Sequence, residues 1–255
     1  MPCQKNQKYS STIPSRDMSP LPDFWLPVFW KNQFRTTIEL PTREKYPQAF
    51  AKKCDAELSR IDFVILNAGL SPNHFELVPS TGHEVGIQVN HLSTALLTIL
   101  LIPILKNKTS GHGPPRLTTV NSLTAHLCKF PNKDERPLLA SFDDPEITPW
   151  SSQERYGLTK GTGLGGHHEM GGVAGALAGA FFAICGRPVD RGAASYTNAV
   201  YGHGKESHGC FLMSCEIAPL AGWFYTHGDV LVDQVWNETL EELDFAGVKS
   251  IASGL

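Results

Sequence analysis

Two rhythms of apolar and polar positions run along this chain, and the changes between them place its elements. Ala49, Phe50, Cys54 and Leu58 recur at helical spacing. A helix is therefore expected from about Pro47, a residue suited to a first helical position, to Ser59 and Arg60. Next comes Ile61-Asp62-Phe63-Val64-Ile65-Leu66, closed by Asn67-Ala68-Gly69. A short apolar run ended by turn residues predicts a strand buried within a parallel sheet. A long helix is expected from about Thr81 to Asn107. Its uncharged stretch Leu92 to Leu105 is interrupted by Pro103. That stretch is shorter than the roughly 20 residues a bilayer requires, so it reads as a buried helix.

After the breaker Gly111-His-Gly-Pro-Pro115, the segment Arg116 to Ser122 predicts a second strand. Residues 129–152 are polar and proline-bearing, which predicts a loop or lid. A helix is expected from Ser152, carrying Tyr156 and Lys160, and Val232 to Leu243 has the spacing of a terminal amphipathic helix. Strand, helix, strand, helix in this order argues for an α/β fold with a parallel sheet.

Both rhythms fail in two places. Residues 1–35 hold Pro, Ser and Lys and one aromatic patch, Phe24 to Trp30, and predict an irregular N-terminal segment. Residues 161–180 contain eight glycines, each costing about 1 kcal/mol relative to alanine in a helix interior. The Tyr156 helix should stop soon after Lys160, and 161–180 should be irregular. Gly161-Thr-Gly-Leu-Gly-Gly166 matches the dinucleotide fingerprint G-x-G-x-x-G, but that fingerprint works between a strand and a helix. Here it follows a helix, so it reads as a low-complexity insert.

Composition narrows the function classes. The 255 residues suit one α/β domain with its own core. A net charge of −3 offers no broad footprint for nucleic acid. The six cysteines are scattered without metal-ligand spacing, and the start lacks an apolar signal region. Free thiols, a cytoplasmic setting, and neither a metal nor a membrane partner are expected.

Tyr156 and Lys160 stand four apart and share one helix face. A phenol ordinarily titrates near 10, and an ammonium beside it favours the phenolate. Such a pair suits carbonyl reduction, where an acid must protonate oxygen as hydride reaches carbon. Alone, the same spacing also fits a surface pair on a helix.

The surrounding blocks carry more. Leu66-Asn-Ala-Gly-Leu70, Gln88-Val-Asn-His-Leu-Ser-Thr-Ala95, Arg116-Leu-Thr-Thr-Val-Asn-Ser122, Ser207 to Pro219 and Trp236-Asn-Glu-Thr239 resemble the short-chain dehydrogenase/reductase family. The likeness is to its retinol-dehydrogenase-like branch, abundant in fungi, and covers roughly 36–160 and 186–250. It implies a Rossmann-like domain over 36–255, with 161–180 as an insert. It also implies an NADP(H)-dependent oxidoreductase acting on a carbonyl or alcohol of a small organic molecule, in fungal secondary metabolism, possible as a homo-oligomer. By position, Ser122 would polarise the substrate oxygen and Tyr156 would be the general acid/base. Lys160 would lower the phenol's pKa and bind ribose, and Asn90 would support a proton relay. Asn67, Ala68 and Gly69, with Asn90, Tyr156 and Lys160, would line the cofactor site. Loop 129–152 and tail 207–225 would frame the substrate pocket.

The family's opening turn T-G-x-x-x-G-x-G does not occur upstream of Asn67. Thr36-Thr-Ile-Glu-Leu40 is the remnant candidate for its next strand, and the insert stands where a late strand is due. An incomplete sheet is therefore expected. The alternative to an active enzyme is a catalytically silent, truncated paralogue.

Overall fold

The computed structural model describes residues 45–109, 113–161 and 189–254. The N-terminal segment, the remnant strand at 36–40 and the glycine-rich insert fall outside them, apart from Gly161. The first helix, α1, spans Lys45–Glu57, and strand β1 spans Phe63–Leu66. A π-helical turn at Ile87–Ser93 runs into α2, Thr94–Asn107, and β2 follows at Arg116–Thr119. Next come a 3-10 turn at Leu123–Leu127, α3 at Ser152–Gly161 and α4 at Val189–Tyr201. A small hairpin, β3 Phe211–Met213 and β4 Glu216–Ala218, precedes the long α5, Gly222–Glu242, and the short α6, Val248–Ser253.

The two apolar runs pair as the pattern predicts. β1 and β2 are parallel neighbours, with Phe63 opposite Arg116 and Leu66 opposite Thr119. The ladder extends at both ends through Arg116 N–H to Asp62 O (2.8 Å) and Val120 N–H to Leu66 O (3.0 Å). One face carries Val64 and Leu66 against Ala51 and Cys54 of α1 and Leu101 and Leu105 of α2. On the other, Phe63 stacks on Tyr201 of α4 with ring centroids 4.5 Å apart. Alternation along the strand thus serves two helical layers, the arrangement that parallel strands require.

The long helix begins later than its apolar spacing suggests. Thr81–Glu84 is a turn closed by a bridge between Leu77 and Glu84. By length and composition Ile87–Asn107 could cross a membrane, yet Leu92, Leu96, Ile99 and Leu101 are almost wholly buried in the core. The π turn has a local cause. Ser93 and Thr94 donate their hydroxyls to the carbonyls five residues back, Gln88 (2.8 Å) and Val89 (3.5 Å), widening the turn.

Segment 129–152 departs from the expected polar lid. Leu138, Leu139 and Phe142 are core residues. The Glu238 carboxylate of α5 accepts the amides of Leu138 (2.8 Å) and Leu139 (2.7 Å). Glu154 likewise accepts the amides of Lys129 (2.6 Å) and Phe130 (3.0 Å), holding Phe130 at φ 55°. Two carboxylates far along the chain convert a polar-looking loop into part of the core. The terminal helix is also longer than its apolar spacing, starting at Gly222 rather than Val232.

A charged staple ties the turn before the long helix to the end of α5. His83 is buried, with Nδ1 2.9 Å from Asp143 Oδ2 and Nε2 3.0 Å from Glu242 Oε2. The Asp143 hydrogen bond is the main cause that raises the His83 pKa, against the effect of burial. The folded value lies above the unfolded one near 6.5, so protonation of His83 favours the fold. This contribution is complete below about pH 6.5 and is lost as pH rises through the raised value. Urea unfolding at a series of pH values is expected to show stability falling across that window. His83→Gln should remove that part of the slope, and an unchanged slope would contradict the assignment.

Candidate active site

Strand β2 ends by delivering Ser122 to the carboxyl edge of the parallel pair, where ligands of open α/β sheets bind. Ser122 caps the Leu123–Leu127 turn: its Oγ accepts the Thr124 amide at 3.3 Å and the Thr124 hydroxyl at 2.8 Å. Those two bonds occupy both lone pairs, leaving the serine proton free to donate. Beside it stands the half-buried Tyr156 hydroxyl on α3, near enough to take that proton. The cap therefore also orients the Ser122 side chain toward Tyr156.

Among the described residues, the surroundings of Tyr156 raise its pKa. Burial is the main cause and outweighs the hydrogen bond from Ser122, while Tyr196 adds a smaller push upward. The phenol is thus held protonated, as a donor. Lys160 lies one turn further along α3, and its side chain is outside the described residues.

α3 can bring Tyr156 to Ser122 because residue 157 is glycine. A Cβ there would collide with Cys128 Sγ and lie 2.9 Å from the Thr124 carbonyl oxygen. Alanine normally favours a helix interior over glycine by about 1 kcal/mol. Here Gly157→Ala should instead destabilise by about 1–3 kcal/mol, since overpacking forces α3 away from the turn bearing Ser122 and Thr124. A thermal melt checks this: a lower Tm is expected, and a higher one would contradict the close approach.

Asn90 has a bracing role that its position alone did not suggest. It is fully buried in the π turn. Its Oδ1 accepts the Leu70 amide (2.8 Å), and its Nδ2 donates to the Leu70 carbonyl (2.8 Å) and Thr159 Oγ1 (2.9 Å). Both amide protons are committed, so the side chain braces the turn after β1 against α3. That turn presents Asn67 and Ala68 to solvent, with Gly69 half-buried. Asn67 Oδ1 accepts the Tyr196 hydroxyl at 2.9 Å.

Ser122, Tyr156, Tyr196 and Asn67 are therefore linked, while Asn90 supports them from behind. Thr124, Gly157, Thr159 and Tyr196 were not singled out from sequence. Of these, only Ser122-Leu-Thr124 carries a local signal, the spacing of a hydroxyl cap. Two blocks of the resemblance also meet in space, since His91 Nε2 lies 2.7 Å from Thr239 Oγ1.

Among curated proteins, the short chain dehydrogenase/reductase mfmJ of Annulohypoxylon moriforme is 39% identical over 239 residues, covering 82% of this chain and 68% of its own length. The short chain dehydrogenase virL of Hypocrea virens is 35% identical, covering 81% and 68%. This chain belongs to the short-chain dehydrogenase/reductase family. A third relative, the short-chain dehydrogenase fogG of Aspergillus ruber, is 32% identical, covering 78% of this chain and 66% of its own length. No family model matches the chain, and no solved structure gives a significant match.

Membership implies a Rossmann-like α/β fold and an oxidoreductase that uses a nicotinamide dinucleotide. The described site fits the nicotinamide end of such a group. Exposed Asn67 and Ala68 lie beyond the carboxyl end of β1, linked through Tyr196 to the neighbourhood of Tyr156. The residues that would hold the adenosine end are not identified by a glycine turn upstream of Asn67.

Proposed function

We propose that this short-chain dehydrogenase/reductase interconverts a carbonyl and an alcohol on a small organic molecule, with NADP(H) preferred over NAD(H). The observation that carries the proposal is the juxtaposition of the Ser122 and Tyr156 hydroxyls at the carboxyl edge of the parallel pair. A substrate oxygen placed there would take over the Ser122 proton from the phenol oxygen and so meet two hydroxyl donors. Ser122, with its acceptor positions filled by Thr124, would polarise the carbonyl. Tyr156, kept protonated by burial, would supply the proton to the developing alkoxide. The nicotinamide group would supply the hydride. Asn67, Ala68 and Gly69 would line its site, Asn90 would hold their turn in place, and Lys160 would bind the ribose. The fungal sources of the relatives support a substrate drawn from fungal secondary metabolism.

One sequence feature favours the second reading, a silent relative of an active enzyme: T-G-x-x-x-G-x-G is missing upstream of Asn67. Incubating the full chain with NADPH or NADH and a panel of aryl and alkyl ketones separates the two. Loss of reduced-nicotinamide absorbance, abolished by Ser122→Ala, is expected with NADPH. A folded chain giving no turnover with either cofactor across the panel would favour silence.

A further inference from the structure

A second cavity lies away from Ser122 and Tyr156, neither of which lines it. It encloses about 490 Å³ between α2, α5 and the 130–142 segment, within the roughly 300–1,000 Å³ typical of small-molecule sites. Ile99 of α2, Leu139 and Phe142 of the loop, Leu158 of α3 and Leu231 of α5 form its walls. Leu158 stands two residues beyond Tyr156, which puts it about 200° around the helix from that residue.

Apart from Thr119 and Trp236, the polar side chains of the wall are bonded within the protein. Thr98 donates its hydroxyl to the Thr94 carbonyl (2.8 Å), and Thr94 donates to the Val89 carbonyl (3.5 Å). His91 and Thr239 bond each other at 2.7 Å. His91 is wholly buried, and burial lowers its pKa to about 4, so it is uncharged near neutral pH. Among the described residues, no lysine, arginine, aspartate or glutamate lines the space. An occupant would meet few free donors or acceptors and no charge.

Gly228 is an independent sign that the space is kept open. It sits in the interior of α5 and lines the cavity, where glycine is disfavoured by its backbone entropy. No backbone constraint calls for it. It is not among the positive-φ glycines, and a Cβ would meet only Phe224 Cδ1 at an ordinary 3.7 Å. The missing side chain leaves room and serves no packing contact. Packed interiors tolerate few voids above the size of water, and apolar cavities take up apolar molecules.

We propose that this cavity is a binding site for an uncharged, hydrocarbon-rich small molecule, separate from the Ser122–Tyr156 site. The probe is N-phenyl-1-naphthylamine, titrated into the full chain and followed by its fluorescence. Saturable binding of one probe per chain is expected. The anionic analogue 1-anilinonaphthalene-8-sulfonate should bind at least about tenfold more weakly, since no cation awaits its sulfonate. Gly228→Leu should weaken N-phenyl-1-naphthylamine by at least about tenfold while leaving the circular dichroism spectrum unchanged and Tm equal or higher. Tyr156→Phe should leave binding untouched, so this site stands or falls independently of the reaction. If Gly228→Leu does not fold, Ala95→Phe fills the cavity from the α2 wall. Absence of saturable binding, equal binding of the sulfonate, or undiminished binding by a folded cavity-filling variant would overturn the proposal.

Discussion

Tyr156→Phe is expected to lower turnover by about 10²–10⁴-fold, the usual contribution of a positioned acid or base, while cofactor affinity stays close to wild type. The substitution removes one oxygen and leaves ring and packing in place. Its loss also frees the Ser122 proton, whose acceptor in the present geometry is the phenol oxygen. A lone serine cannot replace a phenol as proton source, so polarisation would survive without protonation. Lys160→Ala should behave differently, weakening both cofactor binding and turnover, because in the proposed site its ammonium would favour the phenolate and bind the ribose. Steady-state kinetics with separate kcat and KM values for NADPH distinguish the two patterns. Turnover that survives Tyr156→Phe would show that the proton comes from elsewhere.

The second large effect is on stability. Asn90→Leu should cost about 2–4 kcal/mol, because it leaves the partly buried Leu70 amide and carbonyl without their shared partner. A leucine of similar volume supplies no donor or acceptor in return. The same change should loosen Asn67–Gly69, so cofactor affinity should fall along with stability. Asn90→Asp separates bracing from bulk: an aspartate can still accept the Leu70 amide but would aim a buried charge at the Leu70 carbonyl. Urea denaturation should therefore find Asp at least as damaging as Leu. A loss below about 1 kcal/mol in both variants would refute the bracing role.

The fold and the candidate site were legible to different depths in sequence, for physical reasons. Phe63–Leu66 and Arg116–Thr119 were readable as paired parallel strands because an apolar run closed by turn residues is a local signal. Tyr156 and Lys160 were readable because helical spacing is local too. What stayed hidden depends on groups distant in sequence. Leu138 and Leu139 sit in a polar stretch, and only Glu238, a hundred residues on, shows why their amides can be buried. The direction of the Tyr156 shift needed its burial, which no spacing encodes. The brace that Asn90 forms through its three bonds to Leu70 and Thr159 joins residues 20 and 69 positions away and had no local signal. Gly157 was one glycine among many until Cys128 and Thr124 were seen against it.

The central claim is that Asn67–Gly69, Ser122, Tyr156 and Lys160 form a working nicotinamide site. Its most direct test is a fluorescence titration of the purified full chain with NADPH, repeated with Lys160→Ala and Tyr156→Phe. Saturable binding is predicted, weakened by Lys160→Ala and retained by Tyr156→Phe. A folded chain that binds neither NADPH nor NADH at any accessible concentration would contradict the claim and leave the silent relative as the better description.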